Sequence, residues 1–484
     1  MLGLTNSIYI NGEFVESGSE EMIDVINPAT EETIRQVVKG NEDDAKKAID
    51  AAYEAQKSWE QKPASERAEY LNVIADKLEE NEESFARLLT EEQGKTLALS
   101  TGEIRMTVDY FRYMAGWARR IEGDVVPSDN PDENIIVLKK PIGVVTGIVP
   151  WNFPMMVLAR KVAPAIVTGC TVVIKPSQQT PLTAIKFTEL LHEHAGLPKG
   201  VFNLITGSGS SVGKELASNN KVGMVSLTGS FPAGSKVMEA ASEKIIKVNL
   251  ELGGKAPAIV TEHADLDLAA EKVIESRIIN AGQVCTNAER VYVHESVADT
   301  FIDKVTTKMR DLSFGDPLKE GMDFGPLVSK EQLEDVEEAV EKAKKDGADV
   351  LIGGKRADIE KGFFFEPTVI SGAKQEMDIM RSEIFGPVLP IAVFGDLDEA
   401  IELANDSDYG LSSSIFSENY HEVMRAVNEL KFGEVFVNRE NFEAIQGFHA
   451  GWRQSGLGGA DGKYGIEEYL QTTVAYMQYD KKRK

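Results

Sequence analysis

Cysteine is nearly absent: 484 residues contain two, Cys170 and Cys285. Two scattered thiols cannot build a disulfide framework, so a reducing, cytoplasmic compartment is expected. Histidine is scarce too, with six residues. Only His192 and His194 lie close together, and an i, i+2 spacing does not align them on a helix face, so no metal site is expected. Lys and Arg number 52 against 78 Asp and Glu, a net charge of −26 at pH 7. Such a chain repels phosphate backbones and anionic bilayers, which argues against nucleic acid and membrane as partners. A local basic site for a phosphate-bearing cofactor stays compatible with that charge. No Lys or Arg precedes Arg35, which argues against a secretory signal. Residues 141–159 are uncharged, but Pro141, Gly143, Gly147, Pro150 and Pro154 interrupt them. A spanning helix with those breakers would leave backbone groups unsatisfied in lipid, so a buried strand and turn are expected. Repeats, low-complexity tracts and Pro/Ser-rich linkers are also missing.

What is present is ordinary globular composition, 42% hydrophobic and 27% charged, over a length that calls for two or three domains. Tyr9 to Val15 has a hairpin pattern with Asn11-Gly12 at its turn. From Glu42 to about Arg119, Ala, Glu, Lys and Leu dominate at helical spacing, as in Leu71, Ile74 and Leu78. From about 134 strands alternate with helices. Strands are expected at 135–138, 144–149, 171–174, 202–205 and 224–227, with helices at 154–168, 181–195, 210–219 and 232–243. A second alternation adds strands at 256–260, 290–293, 388–393 and 434–437, with helices at 265–280, 297–311, 330–346 and 397–404. This texture implies parallel sheets covered on both faces, in two α/β domains meeting near 250. Val474-Ala475-Tyr476-Met477 is a strand with an exposed edge that, with 120–138, could pair with another subunit.

Three segments carry chemistry. Cys285 lies in a turn after a helix that ends near Gly282. An ordinary thiol is only about 3% thiolate at neutral pH, and nearby N–H groups or a cation would raise that fraction roughly tenfold. Cys170, in Thr168-Gly169-Cys170-Thr171, reads as a small buried residue. Glu251 stands between Leu250 and Leu252 before Gly253-Gly254, where apolar neighbours would raise its pKa toward a usable base. Asn152, in Pro150-Trp151-Asn152-Phe153-Pro154, follows a buried strand and precedes a helix, where parallel sheets place ligands. It is either a helix cap or an amide donor to an oxyanion.

These segments resemble the glutamate, cysteine and asparagine motifs of the aldehyde dehydrogenase superfamily. Lys175-Pro176-Ser177, Thr228-Gly229-Ser230, Glu383-Ile384-Phe385-Gly386-Pro387 and Ser455-Gly456-Leu457-Gly458 extend the resemblance, in family order, along nearly the whole chain. It implies a Rossmann-like cofactor domain, an α/β catalytic domain and a small β oligomerisation arm. The corresponding boundaries are 1–119 with 139–250, 251–440, and 120–138 with 460–484; a homodimer or homotetramer is implied. Cys285 would be the nucleophile, Asn152 and the Cys285 N–H the oxyanion donors, Glu251 the base for thioester hydrolysis and Lys161 a supporting cation. Relatives that pass the acyl group to coenzyme A lack the glutamate, so release of the free acid is favoured.

The implied cofactor is NAD or NADP, lying against Val149, Pro150, Trp151, Leu252, Gly253, Thr228, Gly229 and Ser230. Lys175, Ser177 and Gln178 would hold the adenosine end, Gly209 and Gly213 belong to a glycine turn, and Glu383 and Phe385 would meet the nicotinamide ribose and ring. Many NAD-preferring members carry Glu at position 178; Gln178 repels no 2′-phosphate, so either cofactor is open. Phe231-Pro232 puts a bulky pair near the pyrophosphate. Residues 438–451 resemble the lactaldehyde and glycolaldehyde dehydrogenase branch. Glu443, His449 and Arg160 are the candidate substrate contacts; Thr286 departs from the Asn expected in that branch. Two other readings stand beside it. In a succinate semialdehyde enzyme Arg160 would pair a carboxylate. In a serine hydrolase, Gly209-Ser210-Ser211-Val212-Gly213 would supply the nucleophile and His449 the base. A non-catalytic scaffold would leave Cys285, Glu251, Asn152 and Lys175 without roles.

Overall fold

The computed structural model describes residues 8–479. Residues 1–7 and 480–484, the latter including the basic Lys481-Lys482-Arg483-Lys484, lie outside them. The Tyr9–Val15 hairpin is present: Ile8–Ile10 pairs antiparallel with Glu13–Val15, and Asn11 and Gly12 adopt φ of 53° and 79°, as such a turn requires. Four helices follow: Glu42–Trp59, Ala64–Glu80, Glu82–Gln93 and Leu97–Ala115. The first is closed by a capping box between Asn41 and Asp44. Leu71, Ile74 and Leu78 turn inward and are fully buried, as their spacing demands.

An eight-stranded sheet has at its centre five parallel strands in the order Lys247–Glu251, Val222–Thr228, Val144–Ile148, Thr171–Lys175 and Phe202–Leu204. Numbered along the chain and read from Phe202–Leu204, that order is 3-2-1-4-5, the dinucleotide-fold order, whose direction reverses between Val144–Ile148 and Val222–Thr228. A seven-stranded sheet runs Asp349–Ile352, Thr368–Ser371, Val388–Phe394, Ala288–His294, Ala256–Val260, Ser412–Phe416 and Glu434–Val437, parallel except at its first pair. Gly456–Leu457 returns to the edge of the first sheet, pairing with Leu250 and Glu251. Among the described residues no helix is long and apolar enough to cross a membrane.

Among the strands that escape the sequence patterns, two stand next to the site. Lys247–Glu251 alternates polar and apolar residues, so Glu251 ends a strand rather than standing in a turn. Ser412–Phe416 starts with three serines yet is wholly buried between two strands. The 210–219 helix divides into a π-helical turn, Gly209–Gly213, and Lys214–Ser218. Leu470–Gln478 is the edge strand expected: it pairs along its whole length with Glu133–Pro141, which also pairs with Asp124–Pro127, and among the described residues no strand pairs with its other edge. Within this three-stranded sheet Val125 (73%), Tyr476 (68%) and Met477 (52%) stay exposed.

Candidate active site

The point where the first sheet reverses direction is a crevice at the carboxyl ends of its strands. Val149–Asn152 leaves the strand Val144–Ile148 there, Thr228–Ser230 leaves the neighbouring strand, and Glu251–Gly253 leaves the next. From the opposite side come the segments that precede Ala288–His294 and Val388–Phe394, carrying Cys285 and Glu383–Phe385. Between them lies a cavity of about 290 Å³. Its walls include Pro150, Trp151, Asn152, Thr228, Gly229, Ser230, Glu251, Leu252, Gly253, Cys285, Glu383, Phe385 and His449. Ile384, within the Glu383–Pro387 motif, and Gln332, Asp335 and Ala339 complete the lining; the last three carry no signal in the sequence. Segments more than 200 residues apart therefore meet in one cavity.

The cysteine turn is built under backbone constraint. Asn280, Ala281 and Gly282 have φ of 52°, 55° and 78°, three left-handed residues in succession, which costs energy at the non-glycine positions. A Cβ on Gly282 would strike the Gly386 carbonyl oxygen at 2.1 Å, so the turn and the 383–387 segment can approach only with glycine there. Gln283 fastens the turn: its Nε2 donates to Asn280 O (2.8 Å) and its Oε1 accepts from Val328 N (2.9 Å). Asn152 Nδ2 donates to Gln283 O at 3.1 Å, which joins the asparagine segment to the cysteine turn. That bond uses one of the two N–H groups of the amide.

Beneath Asn152 is a pair that the sequence does not flag. Lys95 Nζ donates to the Asn152 carbonyl at 2.6 Å and to Glu103 Oε2 at 2.5 Å. The other Glu103 oxygen accepts from Met155 N and Met156 N at the start of the helix Pro154–Thr168. Both side chains are fully buried. In a Glu/Lys-rich helical stretch neither differs from a solvated residue. Lys95→Met is expected to lower unfolding free energy by about 3–5 kcal/mol, because it strands a buried carboxylate; chemical denaturation measures it.

Glu251 is buried, and its Oε2 accepts from Thr228 Oγ1 at 3.0 Å. Lys161 Nζ donates to Thr228 Oγ1 at 3.0 Å and to Ser226 Oγ at 2.9 Å. Burial pushes Lys161 down to about 8 despite the nearby Glu251 charge. Burial pushes the Cys285 thiol up, and His449 pulls against it.

Arg160, Glu443 and His449 lie together. Arg160 is tied to Asp461 through Nε (3.1 Å) and Nη2 (2.7 Å), and to Glu443 through Nη2 (2.7 Å). Burial pushes Glu443 up, but Arg160 and His449 overcome it and hold the carboxyl at about 2. Burial raises Asp461 to about 6 against the pull of Arg160. The Arg160 guanidinium is thus already matched by two protein carboxylates. His449 Nδ1 faces Glu434 Oε2 at 3.2 Å and the residue lines the cavity with Cys285, which Ser211 does not line, so the base that a Ser211 hydrolase needs is engaged elsewhere.

The residues present fit a dinucleotide. Lys175 is buried, and its Nζ has one hydrogen-bond partner among the described residues, Pro176 O at 3.1 Å. A buried ammonium without a carboxylate suits an anionic ligand; burial alone pushes it down to about 8. A Cβ on Gly213 would come within 4.0 Å of Lys175 Cδ, so the glycine turn adjoins the lysine. Ser177 and Gln178 follow at half-buried positions, and Val149 N donates to Lys175 O at 3.0 Å. Gly209 is exposed at the turn, and a Cβ there would meet nothing. At the other end, Glu383 Oε1 accepts from Gly254 N at 3.0 Å. Burial pushes Glu383 up to about 8, so this carboxyl is poised to share a proton or a hydroxyl. The Phe385 and Trp151 rings meet edge to face with centroids 5.3 Å apart. Glu289 holds this loop: it accepts from Ile384 N and Phe385 N, both 3.1 Å, while Lys255 and Arg277 each pair with it at 2.8 Å.

Residues 14–475 match the aldehyde dehydrogenase family. The chain is 52% identical over 472 residues to the lactaldehyde dehydrogenase of Escherichia coli, covering 97% of this chain and 98% of that one. The crystal structure of that enzyme superposes with a TM-score of 0.96 over 98% of this chain and 99% of the other. A D-glyceraldehyde dehydrogenase (NADP(+)) of Thermoplasma acidophilum is 39% identical over 483 residues, 99% of this chain and 97% of its own. The structure of a betaine aldehyde dehydrogenase from Staphylococcus aureus in complex with NAD+ is 39% identical, with a TM-score of 0.96 over 98% of this chain and 95% of that one. The chain belongs to the aldehyde dehydrogenase family and has its fold. It is an oxidoreductase that uses NAD or NADP.

Proposed function

We propose that the protein oxidises a short hydroxyaldehyde, lactaldehyde or glycolaldehyde, to the free acid through a thioester on Cys285. The observation that carries this reading is a single cavity wall holding Cys285, Asn152 and Glu251, with the ionised Glu443 and His449 beside it. The Cys285 sulfur adds to the aldehyde carbon. The second Asn152 N–H and the Cys285 backbone N–H hold the resulting alkoxide. NAD(P)+, when bound, supplies the acceptor for the hydride that leaves that carbon, so the thiohemiacetal becomes a thioester. Glu251 takes a proton from water, which attacks the thioester; the acid leaves and the Cys285 thiol is restored. The Thr228 hydroxyl, itself held by Lys161 Nζ, donates to the Glu251 carboxylate and orients it for that proton. A substrate hydroxyl buried against Glu443 or His449 would be hydrogen-bonded, which favours it over an unsubstituted chain.

The cofactor domain is assigned to 1–119 with 139–250 and the catalytic domain to 251–440. Residues 120–138 and 460–484 are assigned to an arm whose exposed apolar sheet is covered in a homodimer or homotetramer. Glycolaldehyde, lactaldehyde and succinate semialdehyde, each with NAD and with NADP, test the substrate by the near-ultraviolet absorbance of the reduced cofactor. The hydroxyaldehydes are expected to give the highest kcat/KM. A preference for succinate semialdehyde would overturn the reading and require Arg160 to exchange a protein carboxylate for the substrate's. Gln178→Glu is expected to lower kcat/KM for NADP by about tenfold to a hundredfold and leave NAD nearly unchanged, because a new carboxylate repels a 2′-phosphate in a partly solvated groove. Steady-state kinetics with both cofactors check it.

A further inference from the structure

Cys285 faces a wall of the wrong sign for a thiolate. Among the described residues lining the cavity, Glu251, Asp335 and Glu383 are acidic and His449 alone is basic. The other nearby cations are engaged: Arg160 pairs with Asp461 and Glu443, and Lys161 donates to Ser226 and Thr228. His449 is 2% exposed and is held from two directions. Its backbone bridges to Ala460 through bonds of 2.9 and 2.8 Å. Its Nδ1 faces Glu434 Oε2 at 3.2 Å, at the start of the strand Glu434–Val437. Cys285 and His449 line the same cavity. The imidazole is thus held by a carboxylate on one side and faces the cavity that the thiol lines on the other.

We propose that His449 is the charge partner of the Cys285 thiolate and that Glu434 is the positioning residue that keeps its ring charged and aimed. This rests on Cys285 being the nucleophile, and it goes beyond a contact to the substrate hydroxyl, since it acts before any aldehyde binds. The groups facing His449 are Glu434 on its strand, Glu443 in the preceding segment, Asp461 behind Arg160, and Cys285. Burial pushes His449 down, but Glu434 and Glu443 overcome it and hold it well above the usual imidazole range. The charged form of the ring is thereby favoured. A cation beside a thiol favours the thiolate, so it lowers the pH at which the thiol ionises. Removing it leaves burial unopposed, and ionisation moves to higher pH. Because thiol and imidazole titrate together, the measured inflection belongs to the pair.

The test is the pH dependence of iodoacetamide alkylation of the full chain, without aldehyde or cofactor, with the site read by peptide mass. Cys170 is fully buried, and the peptide assignment separates it from Cys285. In His449→Gln the alkylation inflection is expected to rise by about one unit, with alkylation at neutral pH about tenfold slower. Glu434→Gln is expected to shift it the same way by a smaller amount and supplies the test should His449→Gln fail to fold. Profiles of both folded variants that superimpose on wild type would overturn the proposal, as would a shift to lower pH. Hydroxyaldehyde oxidation is a separate readout. Its absence from wild type, with the alkylation shift intact, would sink the substrate reading and leave the thiolate pairing standing.

Discussion

Cys285→Ala is expected to abolish aldehyde-dependent reduction of the cofactor, with kcat falling about 10⁴-fold or more. The expectation rests on how much of the local structure serves this one side chain. Three consecutive left-handed residues, the Gly282–Gly386 approach and the Gln283 bonds bring a single sulfur to the cavity wall. No second nucleophile stands ready: Cys170 is fully buried behind the Thr168–Thr171 turn. The sulfur itself makes little of the fold, so thermal unfolding of the variant should match wild type closely. Dinucleotide binding should survive as well, because Lys175 and Glu383 are untouched. A variant that still reduces cofactor at a substantial fraction of the wild-type rate would show that the sulfur is not the reacting atom.

Glu251→Gln should have a different kinetic signature. The amide fills the same volume and can still accept from Thr228, so folding should be little affected. What it removes is the base. Addition of Cys285 and hydride loss do not require that base once the thiol is ionised; water attack on the thioester does. The variant should therefore release close to one equivalent of reduced cofactor per site in a rapid burst, then turn over about 10²–10⁴-fold more slowly than wild type. Stopped-flow absorbance reads both phases. Loss of the burst together with turnover would place Glu251 before hydride transfer, acting on the thiol.

Much of this site is legible in the sequence because its parts are local. The turn at Cys285 and the strand-to-helix passage at Asn152 are set by short segments whose residue types are hard to explain otherwise. Strands such as Val144–Ile148 and Ala256–Val260 are continuous apolar runs, as strands buried on both faces must be. Lys247–Glu251 hides because its polar residues answer partners that no pattern announces, Asn249 donating to the Gly459 carbonyl at 2.9 Å. Ser412–Phe416 hides because two of its three serines bond backbone carbonyls, Ser412 Oγ to Thr286 O at 2.6 Å and Ser413 Oγ to Glu434 O at 3.0 Å. The supporting charges are equally silent. Lys95, Glu103, Glu289, Glu434 and Asp461 look like surface residues until folding brings each to a partner far along the chain. Arg160 illustrates the same limit: a lone arginine reads as a ready anion site, whereas the fold supplies Asp461 from 301 residues away to neutralise it.

The most direct test of a thioester on Cys285 is the mass of that peptide. Glu251→Gln is mixed with glycolaldehyde and the preferred cofactor, quenched in acid at the end of the burst, digested and analysed by mass spectrometry. The account predicts an acyl adduct on the peptide containing Cys285, absent when cofactor is withheld. An unmodified Cys285 peptide after a full burst of reduced cofactor, or an adduct on another residue, would contradict it.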